Sequence, residues 1–205
     1  MDCTKKFIRE SAISENKYGV IYVDAPWDFK CRSEKGMGRS AQNHYKCLSI
    51  QDIMNLPVRD YAADDCVLLM WATDPFLEIA FKIIKAWGFK YKTVGFYWAK
   101  LNKNANVEQL SIEDFFMGTG YWTRANPEQC LLATIGNPKR KAKDVRKLII
   151  SPRRQHSRKP DEAYSRIERL LPGPYLELFA RNTRPGWTSM GDEMNKYDST
   201  TFGLQ

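Results

Sequence analysis

The run Gly19-Val20-Ile21-Tyr22-Val23 constrains this chain most. It is short, apolar and β-branched, the pattern of a buried strand. It ends abruptly on Asp24-Ala25-Pro26, so a carboxylate and a proline stand where the strand leaves its sheet. Cys66-Val67-Leu68-Leu69-Met70-Trp71 predicts a second buried strand. Residues 91–98, 129–135 and 148–150 predict three more, and Tyr175-Leu176-Glu177-Leu178-Phe179 the last strong one. Helical patterns fall between them. After Asp74-Pro75, the residues Phe76, Ile79, Ala80, Ile83, Ile84 and Trp87 recur at three- and four-residue steps, and Gly88 closes the segment. Pro160 opens another helix, with Tyr164, Ile167, Leu170 and Leu171 on one face and Pro172-Gly173 as the stop. Ser49 and Asp52 make a capping-box-like start for a short helix that ends before Pro57.

Strands alternating with amphipathic helices predict a Rossmann-like, three-layer α/β domain with a mostly parallel sheet. Ligands of such sheets bind beyond the carboxyl ends of strands, near the switch point. Asp24, Trp71, Lys100 and Arg181 all stand at such ends, which puts them on one rim. Residues 28–47 form a long polar loop with Gly36 and Gly38, the kind that serves as a lid, and residues 101–127 are irregular. The 205 residues, 43% of them hydrophobic, suit a single domain with a core over about 17–193 and a polar tail after 193. No apolar run nears the roughly 20 residues of a membrane helix. The polar start does not suit a secretory leader, so the chain is expected in the cytoplasm, the host's if phage-encoded.

Five scattered cysteines and two histidines, His44 and His156, argue against a zinc site, and no metal is assigned. The formal charge of +8 favours a polyanionic partner such as nucleic acid. The basic run Lys139-Arg140-Lys141-Ala142-Lys143 is either a solvated loop or part of such a surface.

Asp24-Ala25-Pro26-Trp27 carries the parts needed to methylate the exocyclic amine of adenine. That amine is a poor nucleophile because its lone pair is delocalised into the ring. Two acceptors that take its protons draw the nitrogen toward sp³. Asp24 offers one. The carbonyl of Ala25 offers the other, its direction fixed because Pro26 holds Ala25 extended. Trp27 can stack on the base. A strand that simply turns at a proline beside a buried tryptophan is the other reading of the tetrapeptide alone. No GxGxxG follows a strand, and no Walker, HExxH or Ser/His/Asp arrangement is present.

With the blocks around it, the tetrapeptide resembles the DPPW-type adenine-N6 methyltransferases, the family of the seventy-kilodalton mRNA methylase subunit, which also has compact phage and bacterial members. The blocks are Val67 to Thr73, Trp87-Gly88-Phe89, Phe96 to Lys100, Gly118-Thr119-Gly120-Tyr121-Trp122, Lys159-Pro160-Asp161-Glu162, Glu177 to Arg181, Pro185-Gly186-Trp187 and Gly191. They follow the family's order over residues 18–193, with the catalytic motif before the cofactor motif, which is the permuted arrangement. The resemblance implies S-adenosyl-L-methionine as cofactor and in-line transfer to an adenine amine in nucleic acid. It implies a catalytic role for Asp24, Ala25, Pro26 and Trp27. Asp24, Lys159, Glu177, Leu178, Phe179 and Arg181 would hold the cofactor, with Asp192 and Glu193 at its ribose. Trp27, Tyr45, Lys100 and Arg154 would meet the nucleic acid.

Three departures stand out. Ala25 replaces the family's proline, which keeps the carbonyl but lowers rigidity. Asp192-Glu193 replaces Asn-Gln, and Arg158 replaces a histidine. DNA is favoured over RNA because the chain reads as a minimal catalytic domain most like the compact phage and bacterial members. A catalytically inactive, nucleic-acid-binding partner subunit is a further alternative, opposed by the presence of both Asp24 and Trp27. Monomer and homodimer both stay open.

Overall fold

The computed structural model describes residues 17–26, 48–155 and 158–191. Seven strands form one sheet: β1 (Tyr18–Val23), β2 (Ala62–Ala72), β3 (Lys90–Leu101), β4 (Pro127–Ile135), β5 (Leu148–Pro152), β6 (Tyr175–Leu178) and β7 (Trp187–Met190). Their order is β5-β3-β4-β2-β1-β6-β7. Four α-helices join the described strands: α1 (Ile50–Met54), α2 (Val58–Tyr61), α3 (Leu77–Ala86) and α4 (Asp161–Leu170).

The sheet is mostly parallel, as the alternation predicts, with one reversal. β4 pairs antiparallel with both β2 and β3, while every other described pairing is parallel. The start of β4 therefore lies beside the carboxyl ends of its neighbours. β1 sits at the switch point, with β2 on one side and β6 on the other.

The continuous apolar run of β1 follows from burial on both faces. Ile21 and Val23 pack with Leu68, Met70, Leu176 and Leu178 beneath α1, α2 and α3. Val20 and Tyr22 face the other way, with Val67, Leu69, Trp71, Phe96 and Trp98, and are covered by Ala163, Tyr164 and Ile167 of α4. Each such fully buried aliphatic contributes about 1.5–3 kcal/mol. The result is the three-layer arrangement.

Local signals set the helix ends. Ser49 Oγ accepts from Asp52 N at 3.1 Å and caps α1. α3 buries Ala80, Ile83 and Ile84, and Gly88 beyond it takes φ +80°, a left-handed turn that suits glycine. Trp87 Nε1 donates to the Ile53 carbonyl at 3.0 Å, tying α3 to α1. α3 is preceded by a 3₁₀ turn, Asp74–Phe76, where the sequence pattern reads one continuous helix. Lys141 of the basic run donates from its backbone to Leu170 O and from Nζ to Glu168 O, at 2.8 and 2.7 Å. That lysine serves the carboxyl end of α4. Among the described residues, no helix is long and apolar enough to cross a membrane.

Gly19 is where β1 passes the turn into β6. A Cβ there would lie 2.7 Å from the Gly173 carbonyl oxygen, which is backbone and cannot swing away. Gly19→Ala is expected to lower stability by roughly 1–3 kcal/mol, as overpacking does. Urea unfolding measures this, and an unchanged midpoint would refute the close approach.

Candidate functional site

Asp24 leaves β1 onto the rim with its side chain mostly covered, followed by buried Ala25 and Pro26. Its Oδ1 lies 2.8 Å from Lys159 Nζ. Lys159, just before α4, reaches Glu128 as well, at 3.1 Å. Glu128 in turn meets Lys100, at the end of β3, at 2.7 Å. Four charged side chains from β1, the α4 approach, β4 and β3 thus alternate in sign along one chain. Lys159 and Glu128 are both buried. Burial alone pulls the Lys159 ammonium down, but Asp24 and Glu128 outweigh it and hold the group above the ordinary lysine range. Burial pushes Glu128 up, but Lys159 and Lys100 bring it well below the usual carboxylate range.

Tryptophan and tyrosine rings wall this network. Trp71, at the end of β2, donates from Nε1 to the Tyr22 hydroxyl at 2.5 Å. Its ring lies 5.7 Å from Lys159 Nζ. Tyr22 meets Tyr164 edge-on, with centroids 5.0 Å apart. The Tyr164 hydroxyl then donates to Glu177 Oε1 at 2.7 Å.

Glu177 lies inside β6, and its Oε2 is buried without a hydrogen-bond partner among the described residues. Burial, helped by the nearby Asp24 charge, pushes its carboxyl up to about 7, despite the Tyr164 hydrogen bond. A buried carboxylate with an idle oxygen is costly, so Glu177 is poised to engage a ligand. It lines a cleft with Tyr22, Asp24, Lys159, Phe179, Arg181 and Asn182. Phe179 takes φ +61°, a left-handed backbone at the strand exit.

The structure thus brings Asp24, Lys159, Glu177, Phe179 and Arg181 to one cleft. Lys100 joins through Glu128. Leu178 faces away from Glu177, into the core over α1–α3, and Phe179 is buried in that same core while it borders the cleft. Arg154 pairs with Asp161 at 2.7 Å and donates to the Lys159 carbonyl at 2.7 Å, so it braces the loop that carries Lys159. Trp27, Tyr45, Asp192 and Glu193 lie outside the described residues, as does the loop 28–47. No group of three metal-ligating side chains occurs among the described residues.

Sequence reasoning missed Glu128, Tyr164 and Tyr22. Glu128 escaped because it opens a reversed strand, whose amino end reaches the rim that parallel strands reach with their carboxyl ends. Its one signal was an acid two residues before the apolar Cys130-Leu131-Leu132.

A permuted Rossmann-like sheet with an acid at the end of its first strand, facing a cleft built on its sixth, defines an α/β methyltransferase. The chain belongs to the MT-A70 family, whose model matches residues 18–193. It is similar to the type II methyltransferase M.MunI of a Mycoplasma species, 34% identical over 93% of this chain and 84% of that protein. It is also similar to the N(6)-adenosine-methyltransferase MT-A70-like protein of Arabidopsis thaliana, 29% identical over 92% of this chain and 25% of that protein. The human N(6)-adenosine-methyltransferase catalytic subunit METTL3 is 30% identical over 87% of this chain and 28% of its own length. The chain therefore spans about a quarter of these eukaryotic relatives. The family is that of N6-adenine methyltransferases.

Glu177 sets a pH dependence. In the folded protein it keeps its proton up to about 7, whereas unfolded it releases it near 4.5. Between those values the folded state binds the extra proton, so this group's contribution to stability falls as pH rises through that window. Glu177→Gln keeps an acceptor for Tyr164 but removes the titration. The thermal midpoint of the variant relative to wild type is expected to climb from about pH 5 to about pH 8. A difference that stays level across that range would contradict the burial of this charge.

Proposed function

We propose that this chain transfers the methyl group of S-adenosyl-L-methionine to the exocyclic amine of adenine in DNA. The observation that carries this reading is Asp24 fixed by Lys159 at the mouth of the cleft that Glu177, Phe179 and Arg181 line. The cleft suits such a cofactor. The idle Glu177 Oε2 can accept from a hydroxyl or an ammonium. Arg181 and Lys159 supply cations for a carboxylate. When bound, the cofactor supplies an electrophilic methyl on a positively charged sulfur.

The chain's own residues prepare the amine. Lys159 takes Asp24 Oδ1, which leaves Oδ2 to accept one amine proton. The Ala25 carbonyl, directed by Pro26, accepts the other. Both bonds localise the nitrogen lone pair and strengthen as positive charge develops there. Asp24 is then the group placed to receive the surplus proton. Positioning is the main contribution, and well-aligned reactants can gain roughly 7–11 kcal/mol. On a duplex the adenine has to leave the stack.

DNA is put ahead of RNA because the likeness to the type II methyltransferase runs through most of both chains, whereas the N(6)-adenosine-methyltransferases match over about a quarter of their length. Those same names support adenine N6 as the atom modified, and they make RNA the second reading.

Asp24→Ala should cut transfer by at least about 10²–10³-fold, in the range of losing one preorganised electrostatic group. Lys159 keeps Glu128 in that variant, so its thermal midpoint should stay near wild type. Labelled-methyl transfer to single- and double-stranded DNA and RNA, with nucleoside analysis of the product, makes the measurement. Near-wild-type activity of Asp24→Ala would sink the reading, and label found only in RNA would replace DNA as the substrate.

A further inference from the structure

The segment between β3 and β4 returns to the catalytic rim before β4 begins. Phe116 N donates to the Lys100 carbonyl at 2.8 Å. Asn126 Nδ2 donates to that same carbonyl at 2.9 Å and to Phe116 O at 2.7 Å. Both ends of the loop 116–126 are thus pinned on the end of β3, at the residue whose side chain meets Glu128. Gly118 N closes the loop onto Ala125 O at 2.7 Å. Gly120 is obligatory, since a Cβ there would fall 2.0 Å from Thr123 O.

At the tip of this tight loop Trp122 is 93% exposed. Its φ of +69° is a left-handed conformation that bulky residues rarely take. Trp71, Trp87, Trp98 and Trp187, by contrast, are all buried. Trp122 is therefore held out by a constrained backbone. Tyr121 stands edge-on beside it, with centroids 6.2 Å apart. Arg124 follows in the same loop, and the Arg153 guanidinium lies 3.8 Å from the Phe116 ring at its base. The acids of the segment lie in its other half, where Asp114 is engaged in capping Ser111.

We infer that Trp122 is a stacking platform for the nucleobase beside the target adenine. The inference rests on the nucleic-acid reading above. An aromatic face accepts any base, because every base has a π-face. Guanidinium groups next to it suit the adjoining phosphates, and the chain carries a formal +8. The loop stem shares Lys100 with the Asp24 network, so the loop rises from the same rim that carries Asp24.

The test compares Trp122→Ala and Trp122→Phe with the wild-type protein on a mixed-sequence DNA oligonucleotide. For Trp122→Ala, kcat/KM is expected to fall roughly tenfold or more, chiefly through KM, and Trp122→Phe should recover most of it. Cofactor affinity by calorimetry and thermal midpoint should not move. The oligonucleotide should also quench a tryptophan emission that Trp122→Phe lacks. An unchanged kcat/KM in Trp122→Ala together with no quench would overturn the inference. So would a variant that only dissociates a wild-type dimer in sedimentation, which would make the tip a protein contact. The quench needs no methyl transfer. Its presence in a protein that methylates nothing would support the platform while rejecting the enzymatic reading.

Discussion

Lys159 between Asp24 and Glu128 is the interaction on which the site depends. It brings together β1, β4 and the approach to α4, which are far apart in sequence. Removing the ammonium would leave Asp24 without its cation and Glu128 with Lys100 alone, in a covered space. A buried ion pair adds little net stability compared with apolar packing, because desolvation offsets most of the attraction. What it gives instead is direction. Asp24 cannot swing toward solvent without uncovering Lys159, so one carboxylate oxygen stays aimed along the rim.

The reversal of β4 makes this arrangement possible. A seventh strand running the same way as the others would bring its carboxyl end to the rim, and Glu128 would sit at the opposite edge. Antiparallel pairing with β2 and β3 puts residue 128 next to the end of β3, across from Trp98. From there it accepts Lys100 from one side and Lys159 from the other. Lys100 is thereby committed to the network as well as to the stem of the loop that carries Trp122. The loop that carries Trp122 and the Asp24 network are linked through one strand end.

Much of this was legible in the chain, and the reason differs from residue to residue. β1 was legible because burial on both faces writes an unbroken apolar run. Glu177 was legible because an acid inside such a run has to be explained by a partner or a ligand. Lys159 stood out as the residue before a helix-opening proline in a recognisable block. The direction of β4 was not legible, since residue alternation reads the same both ways along a strand and only pairing partners set it. Glu128 was lost with it. β7 was missed because Trp187–Met190 is only four residues long and its pattern is half polar. Trp122 lies in the block Gly118 to Trp122, but its size and apolar ring argue for burial. Its exposure depends on a loop closed by hydrogen bonds to β3 that have no sequence signature.

Asp24 and Glu177 both line the cleft, and their surroundings differ. Asp24 has a lysine at hydrogen-bond distance, and its carboxylate oxygens are acceptors. Glu177 has a tyrosine hydroxyl and apolar packing, and burial moves its titration to near neutrality. Near neutral pH it can accept or donate according to what enters the cleft. A charge on Glu177 would also oppose the charge on Asp24, which is among the causes that raise it. Filling the cleft with a cation would relieve both acids together. Binding a positively charged cofactor is therefore expected to draw the Glu177 proton off, and the same ligand then stabilises the folded protein more at high pH than at low.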